Sequence, residues 1–429
     1  MESLRSRRAF LRQVALAGTV APFADRLLAE QTQLPPNERL NLGIIGVSNR
    51  GAANLAGVAR ENIVALCDVD LAHVGVAKTA FPNAAIHQDF RKLLDHSNID
   101  AVVISTPDHM HAIPAVMAMD LGKHIYCEKP LAHSVYETRV MREKAAKNKL
   151  TTQLGTQIHA GNNYRRVVEI VQSGAIGKVN RVHVWLAGRP QTGERVKEGT
   201  PPATLDYNLW LGPAPFRPYH KSHCHFHWRW WWDFGGGMLE DFGCHYIDLP
   251  FWALQLRYPT SIEATGEKDH PGDNEVPALM KVDYQFPARG DQPPVHLTWY
   301  HGGWKPEGAD KYGMANAVLF VGEKGELIAD YGKYKLYPEE QFKDFHIEPS
   351  IPESIGHHLE WLEAIRSSGE TTCNFDYGGA LTETVLLGNV SYRAGKKKLE
   401  WDAGNLKVTN GVTETAGLIQ PEYRKGWTL

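Results

Sequence analysis

The stretch LNLGIIGVSNRG at residues 40–51 decides the fold. Its first half is apolar and is typical of a buried strand, and its second half is typical of a turn that opens a helix. Glycines in such a turn let the backbone approach a phosphate group, which the N–H groups at the helix N-terminus stabilise. We therefore predict a phosphate-binding turn made by Gly46, Ser48, Asn49, Arg50 and Gly51, although Ser48 stands where a second glycine is usual.

The residues after this turn continue an alternation of strands and helices. A second apolar segment, 63–66, leads to Asp68, which lies 22 residues after Gly46. That spacing is typical of the carboxylate that binds both ribose hydroxyls of adenosine, and its charge repels the 2′-phosphate of NADP. A solvated strand end is the alternative interpretation of Asp68. Because further predicted helices and strands alternate up to residue 127, we expect an NAD-binding, doubly wound parallel sheet in residues 38–155.

The composition excludes several classes of protein. The 429 residues carry 46 basic and 49 acidic side chains, a net charge of −3, and no long basic stretch, so we expect no nucleic-acid partner. Hydrophobic residues make up 43% and charged residues 22%, as in globular enzymes rather than disordered chains. The five cysteines are odd in number and form no CxxC pair, which does not fit a disulfide framework.

The N-terminus carries the pattern of an export signal. Ser6-Arg7-Arg8 begins a twin-arginine motif, and the mildly apolar stretch 14–23 follows it. That stretch is shorter than the roughly 20 apolar residues that cross a bilayer, and no later stretch is long enough, so we expect no membrane span. Residues 1–37 are therefore predicted to be a signal and linker that send the folded, cofactor-loaded protein to the periplasm. A basic N-terminus without function is the alternative.

Several motifs further along the chain resemble one family. They are TPDHMH at 106–111, CEKP at 127–130, GTQIH at 155–159, GGG with DxGxHxxD at 235–248, and YRKGW at 423–427. Together they resemble the glucose-fructose oxidoreductase, inositol dehydrogenase and MocA family over nearly the whole chain after the leader. The resemblance implies an α/β fold in which a Rossmann domain precedes a second α/β domain, in residues 156–429, with a large, mainly antiparallel sheet. Such sheets often pack in homo-oligomers, so we expect a dimer or tetramer.

The resemblance also assigns the reacting groups. Lys129 follows a predicted strand, where open α/β sheets place their ligands, and it would hydrogen-bond the reacting hydroxyl. His245 would be the general base, and Asp241 would hold a substrate hydroxyl or relay the proton. If residues 238–252 form one helix, then Asp241, His245 and Asp248 share one face, and a carboxylate one turn away would orient the imidazole.

Other residues complete the cofactor and substrate sites that the resemblance implies. The further candidates for contact with the nicotinamide, its ribose and the phosphates are Thr106, Pro107, His109, His111, Glu128, Lys129, Gln157 and Arg229. The candidates for contact with a sugar are His159, Tyr164, His225, Trp230, Asp241 and His245.

The segment 219–233 is unusually rich in histidine and tryptophan. Its four histidines and one cysteine suit zinc or copper, and they are His220, His223, Cys224, His225 and His227. Alternate positions of an extended segment point to one face, which crowds the side chains too much for a closed tetrahedral site, so we predict no metal site. We expect the segment to present aromatic and hydrogen-bonding groups to a sugar, with some of its Trp side chains packed in the core or at a subunit interface.

These observations predict an NAD-dependent oxidoreductase that acts on a secondary hydroxyl of a small-molecule carbohydrate, a sugar, glycoside or cyclitol, in particular at position 3 of a glycoside. Because the periplasm offers no NAD pool, we expect the cofactor to stay bound and to be recycled in place. Two alternatives stay open. A redox-assisted glycoside hydrolase or lyase would act through a transient 3-keto sugar, and a non-catalytic sugar-binding protein would have kept only the fold.

Overall fold

The structure, a computed structural model, describes residues 35–189 and 198–429, which form two large β-sheets. The strands of the first sheet are β1 Asn41–Ile45, β2 Asn62–Cys67, β3 Ala85–His87, β4 Ala101–Ile104, β5 His124–Glu128 and β6 Thr152–Gly155. They are all parallel and lie in the order β3-β2-β1-β4-β5-β6. The predicted doubly wound parallel sheet is therefore confirmed. The twin-arginine pattern lies outside the described residues.

Helices cover both faces of this sheet. The first five are α1 Arg50–Gly57, α2 Leu71–Ala80, α3 Phe90–Leu94, α4 Ala112–Asp120 and α5 Val135–Lys147. Along β4, Val102 and Ile104 face the apolar cluster that α3, α4 and α5 cover, whereas Ala101 and Val103 face the cluster that α1 and α2 cover. The strand order reverses between β1 and β4, and open α/β sheets bind ligands outside the carboxyl ends of the strands at such a point.

The second sheet has nine strands and is mixed. They are β7 Val179–Leu186, β8 Ser261–Glu267, β9 Leu279–Phe286, β10 Val295–His301, β11 Asn316–Gly322, β12 Glu326–Ala329, β13 Tyr334–Tyr337, β14 Leu399–Asp402 and β15 Lys407–Val408. Their order is β13-β12-β11-β7-β10-β9-β8-β14-β15, and only the pair β7 and β10 is parallel within the described sheet. The expectation of a large, mainly antiparallel sheet is confirmed.

The remaining helices pack mostly on one face of the second sheet. They are α6 Asn162–Gln172, α7 Tyr207–Leu211, α8 Gly237–Tyr246, α9 Asp248–Ala253, α10 Glu339–Phe342, α11 His357–Ser367, α12 Phe375–Arg393 and α13 Ala416–Ile419. The single helix predicted over 238–252 is wrong, because α8 ends at Tyr246 and α9 begins at Asp248. Pro250 explains the break, since it has no N–H to donate to the carbonyl of Tyr246 four residues earlier and its ring crowds that carbonyl.

Two later segments return to the first domain. Trp361 and Leu362 of α11 join the apolar cluster beneath α1 and α2, so this helix helps to close the second face of the Rossmann sheet. The segment 198–234 also contacts the first domain, since the Leu71 N–H at the start of α2 donates to the Thr204 carbonyl at 3.0 Å. Within the described residues, no helix combines the length and the apolar character that crossing a membrane requires.

Candidate active site

The turn between β1 and α1 has the shape that a bound pyrophosphate needs. Gly46 has a φ of +84°, and a Cβ there would lie 2.5 Å from the carbonyl oxygen of Ser105. A Cβ at Gly51 would lie 2.2 Å from the carbonyl oxygen of Gly46, so strand and helix meet too closely for any side chain. Asn49, at the N-cap of α1, makes no side-chain cap, and no side chain among the described residues caps the first turn of the helix. The turn therefore fits a dinucleotide.

The carboxylate of Asp68 lies beside this turn, at the end of β2. Its Oδ2 accepts a hydrogen bond from the Val47 N–H at 3.1 Å, and its Oδ1 accepts one from the Asp70 N–H at 3.0 Å. Both oxygens are thus held at the carboxyl edge of the sheet, one strand away from the glycine turn. In dinucleotide-binding folds, a carboxylate at this place accepts hydrogen bonds from the hydroxyls of the adenosine ribose, so the position of Asp68 agrees with its spacing in the sequence.

Glu128, the last residue of β5, links the turn to the second domain. Its Oε1 accepts hydrogen bonds from Arg50 Nε at 3.0 Å, Asn54 Nδ2 at 2.8 Å and Gln157 Nε2 at 2.7 Å. Burial alone raises the pKa of Glu128, but the charge of Arg50 and these hydrogen bonds outweigh it, and the pKa is lowered. Glu128 therefore stays ionised and fixes Arg50 and Gln157, two predicted cofactor contacts, at the floor of the crevice.

Lys129 follows Glu128 and reaches the first helix of the predicted catalytic segment. Its Nζ donates to Asp241 Oδ1 at 2.6 Å and also to the Asp241 main-chain carbonyl. Arg229 Nε donates to the same Oδ1 at 3.2 Å. Burial raises the pKa of Asp241, but the charges of Lys129 and Arg229 outweigh it and hold the pKa well below its usual range. Asp241 is thus an ionised anchor for both cations.

His245 is held by Thr156 rather than by Asp241, which corrects the predicted carboxylate–imidazole pair. Thr156 Oγ1 donates its only proton to the Cys244 carbonyl at 2.9 Å, so it can only accept from His245 Nδ1, also at 2.9 Å. The proton of the neutral imidazole therefore lies on Nδ1, and the lone pair lies on Nε2, which has no protein partner among the described residues. Burial and the nearby Lys129 lower the pKa of His245, so the ring is neutral and basic at Nε2.

Tyr331 borders His245 and is a further candidate for the site, which the sequence motifs did not identify. It lies in the turn between β12 and β13, 37% exposed, with its ring centroid 6.4 Å from that of His245. It stacks on Tyr246 of α8 at 4.6 Å, so the hairpin and the catalytic helix are in contact. An aromatic residue in a hairpin turn is a weak signal, because nothing in the local pattern shows which surface the turn faces.

Two sequence models of one oxidoreductase family match the chain. Residues 40–156 match the model described as "Oxidoreductase family, NAD-binding Rossmann fold", and residues 165–297 match "Oxidoreductase family, C-terminal alpha/beta domain". The chain belongs to this oxidoreductase family. Curated relatives of the oxidoreductase include inositol 2-dehydrogenase of Salmonella typhimurium, 29% identical over 175 residues, which are 39% of this chain and 50% of the relative. Levoglucosan dehydrogenase of Pseudarthrobacter phenanthrenivorans is 30% identical over 161 residues, 33% of this chain and 39% of the relative.

Solved structures show the same fold. The WlbA dehydrogenase from Bordetella pertussis, in complex with NADH and UDP-GlcNAcA, superposes with a TM-score of 0.61 at 18% identity, over 85% of this chain and 99% of that one. The apo form of a levoglucosan dehydrogenase superposes with a TM-score of 0.57 at 18% identity, over 85% and 99% of the two chains. The oxidoreductase spans about half the length, or less, of the curated relatives it matches, so these comparisons establish its family and fold.

The residues predicted to contact the nicotinamide at 106–111 include two buried histidines. His111 is fully buried, and its ring nitrogens lie 2.8 and 2.9 Å from the carbonyl oxygens of Pro130 and Thr106. His109 is also buried, with Nε2 2.9 Å from the Trp210 carbonyl. His111 therefore braces the loop that carries Lys129, whereas His109 ties its own loop to α7. Pro107 and Thr106 belong to the same braced loop, since their carbonyl and hydroxyl groups bond to Met110.

The side chains predicted to contact a sugar at positions 159, 164 and 230 are buried in the structure, and their contact with a sugar stays a prediction. His159 lies 2.9 Å from Asp248 through Nδ1 and stacks on Trp252. Tyr164 donates to the His245 carbonyl at 3.0 Å, so it supports the catalytic helix from behind. Trp230 is 5% exposed and belongs to an apolar cluster. All three side chains therefore pack inside the protein, next to the residues of the candidate site.

The histidines of segment 219–233 do not form one row. His220 and His223 pack against Trp231, with ring centroids 6.2 and 5.0 Å away. His225 turns to the other side and meets Asp70 of the Rossmann domain at 3.1 Å. His225 therefore lies beside the predicted adenosine end of the cofactor site, and its contact with a sugar stays a prediction.

Proposed function

We propose that the protein uses NAD to oxidise a secondary hydroxyl of a sugar, glycoside or cyclitol, in particular at position 3 of a glycoside. The observation that carries this proposal is that His245 and Lys129 lie together. His245 has its Nδ1–H fixed by Thr156 and its Nε2 free among the described residues, and Lys129 directly follows the carboxyl end of β5. The helix α8 places His245 one turn after Asp241, the residue that anchors Lys129, so their Cβ atoms lie about 5–6 Å apart. A base and a cation thus converge on one small volume beside the dinucleotide turn.

The residues divide the chemistry of an alcohol oxidation between them. When bound, NAD supplies the acceptor for the hydride that leaves carbon. His245 Nε2 takes the hydroxyl proton, since its lone pair is the free acceptor of the ring. The Lys129 ammonium carries three N–H donors, of which Asp241 accepts two, so one remains to stabilise negative charge on the substrate oxygen. Glu128 is ionised and Asn54 donates a hydrogen bond to it, so the two keep this part of the site polar. We assign neither of them a role in proton transfer.

The proposed substrate class is supported by the site and by the relatives. Inositol 2-dehydrogenase and levoglucosan dehydrogenase are named for substrates that are cyclic polyols. Phe242 and Tyr331 both border the reacting groups, with Lys129 Nζ 6.0 Å from the Phe242 ring centroid. Aromatic faces next to hydrogen-bonding groups suit the apolar face and the hydroxyl edge of a sugar ring.

Export and assembly are part of the same proposal. The Arg7-Arg8 pair supports export of the folded protein to the periplasm, and a cofactor loaded beforehand would then be retained and recycled. We propose a homo-oligomer that forms through the face of the second sheet opposite α6, α8 and α12. On that face Tyr300 of β10 is half-buried, and Trp185 of β7 is covered by the segment 309–314. Analytical ultracentrifugation of the full chain tests the assembly, and a monomer at micromolar concentration contradicts it.

The decisive experiment follows both the cofactor and the sugar. The purified protein is denatured to release nicotinamide, and the native protein is mixed with an aryl glycoside while absorbance of the reduced cofactor and products are recorded. We expect bound nicotinamide, a single burst of reduced cofactor and a keto-glycoside. Lys129→Met should slow the burst by about 10²–10³-fold, whereas Lys221→Met, at an exposed lysine, should leave it unchanged.

The same experiment separates the alternatives. Release of the aryl group with no net change in reduced cofactor indicates a redox-assisted hydrolase or lyase instead of a dehydrogenase. A protein that contains no nicotinamide, binds none when it is added and oxidises no member of a polyol panel contradicts the proposed function altogether.

A further inference from the structure

Three potential metal ligands meet where the Rossmann domain touches segment 219–233. Asp70 precedes α2 and caps it, because its Oδ1 accepts from the Ala72 N–H at 3.0 Å. Its Oδ2 points the other way and lies 3.1 Å from His225 Nε2. His73, three residues later on the first turn of α2, places its ring centroid 4.4 Å from that of His225. The cluster joins two parts of the chain that are about 150 residues apart.

The spacing of these groups suits one small cation. One ligand atom from each of Asp70, His73 and His225 can be chosen so that all three lie within 4.8 Å of one another. Neighbouring ligands of a tetrahedral ion with bonds of about 2.0–2.1 Å lie about 3.3 Å apart, close to the 3.1 Å between Asp70 Oδ2 and His225 Nε2. The third ligand, from His73, lies within 4.8 Å of both.

A carboxylate outside the cluster prepares His73 for this role. Asp68 Oδ1 lies 3.4 Å from His73 Nδ1, so it favours the proton on Nδ1 and leaves the lone pair on Nε2. Metal-binding histidines usually have a carboxylate or carbonyl on their other nitrogen, which orients the ring and raises its basicity. The side chains of the three ligands are 8–28% exposed, so an ion can enter from solvent and keep a water ligand.

The other histidines of the segment do not compete for this position. His220 and His223 pack on Trp231, and the His227 ring packs next to Phe226. The set is therefore two imidazoles and one carboxylate, with a second carboxylate behind them. Imidazole nitrogens and a carboxylate oxygen are the usual ligands of zinc in sites with an open position, and the two carboxylates balance a double positive charge.

We propose that Asp70, His73 and His225 form a binding site for a divalent transition-metal ion, Zn²⁺ by ligand chemistry, that ties segment 219–233 to the Rossmann domain. The ion replaces the Asp70–His225 hydrogen bond, and the proton of His225 moves to Nδ1 or to solvent. It lies next to Asp68 and so braces the adenosine end of the cofactor crevice from outside. The site takes no part in the proposed oxidation, and its existence does not depend on the substrate.

Zinc binding to the full chain tests this proposal. The protein is treated with a chelator, dialysed, and titrated with ZnCl₂ by calorimetry, and Co²⁺ is added in a parallel sample to record the visible spectrum of the bound ion. We expect one equivalent to bind and the melting temperature to rise. His225→Ala and His73→Ala should weaken Zn²⁺ binding at least about 100-fold, since losing even a residue behind a ligand costs about 10–100-fold.

Matched variants keep the result interpretable. His227→Ala removes a histidine two residues from His225 and should leave the affinity unchanged. Asp70→Asn keeps the helix cap but removes the charged ligand, so it should weaken Zn²⁺ binding without lowering the melting temperature of the metal-free protein. The proposal is overturned if the wild type binds no stoichiometric Zn²⁺, or if His225→Ala binds it as well as His227→Ala does. Normal metal-free melting of His225→Ala shows that a loss of binding is not a loss of fold.

Discussion

Replacing Thr156 by valine tests the assignment of the base most directly. Valine keeps the shape of threonine but has no hydroxyl, so it removes the acceptor from His245 Nδ1–H and the donor from the Cys244 carbonyl. Thr156 is fully buried, and no water replaces the lost partner easily. Leaving a buried N–H without an acceptor costs about 1–3 kcal/mol. The tautomer with Nδ1–H and a free Nε2 lone pair is disfavoured by that amount.

This free energy sets the size of the kinetic effect. A cost of about 1–3 kcal/mol lowers the ratio of the active to the inactive tautomer by a factor between about 5 and about 150, so kcat should fall by up to that factor. The KM for the sugar and the content of bound nicotinamide should not change, because Thr156 lies behind the imidazole. Stopped-flow measurement of cofactor reduction gives the rate, and cofactor absorbance after denaturation gives the content.

Thr156→Ser is the matched control. Serine keeps the hydroxyl, so it should restore the rate to within a few-fold of the wild type, although it loses a buried methyl group and some stability. The assignment of His245 Nε2 as the base is refuted if Thr156→Val reacts as fast as the wild type. It is refuted equally if Thr156→Ser is as slow as Thr156→Val, because the hydroxyl is then not the group that matters.

Three other outcomes are expected from the same structure. The proposed base acts when it is neutral, that is, above its pKa, and burial and the charge of Lys129 lower the pKa of His245. The plateau of kcat/KM should therefore extend below pH 6.5, and kcat/KM should fall only in more acid solution. An acid limb centred above pH 6.5 contradicts this prediction. Gly46→Ala places a Cβ 2.5 Å from a backbone carbonyl oxygen, so it should abolish bound nicotinamide and lower the melting temperature. The control Gly290→Ala, also at positive φ but in open space, should cost only about 1–2 kcal/mol of stability. Equal cofactor content in the two variants contradicts this prediction. Tyr331→Ala should raise the KM for a glycoside by up to about tenfold and leave the bound nicotinamide unchanged, and steady-state kinetics showing an unaltered KM would remove this residue from the substrate site.

Local patterns made the first half of the fold predictable. The apolar strand, the glycine turn and the carboxylate at Asp68 lie within a few tens of residues, and each has a periodicity or spacing that depends only on nearby sequence. The alternation of strands and helices then leaves few topologies, because crossovers between parallel strands are right-handed. The break at Pro250 was also readable in the sequence, since proline cannot continue a helix interior, but the spacing of the catalytic residues outweighed it.

The partners of the catalytic side chains were not predictable in the same way. Thr156 and His245 are 89 residues apart, and Lys129 and Asp241 are 112 apart, so no local spacing relates them. Helical periodicity correctly places Asp241 and His245 on one helix. The periodicity does not show that two cations from other parts of the chain, Lys129 and Arg229, bind Asp241. Composition misled in a similar way at His225, because a histidine-rich segment does not show which neighbour each ring will face.

The capture of Asp241 by Lys129 decides whether His245 can act as a base. A carboxylate close to the imidazole raises the pKa of His245, whereas burial and the Lys129 ammonium lower it, and the lowering prevails. Had Asp241 bonded to the ring, as the helix spacing predicts, its charge would have favoured the imidazolium, which has no lone pair to accept a proton. Instead the carboxylate neutralises the two cations beside it, while an uncharged hydroxyl orients the ring. The ion pair therefore aims the Lys129 ammonium and keeps the neighbouring imidazole neutral at the same time.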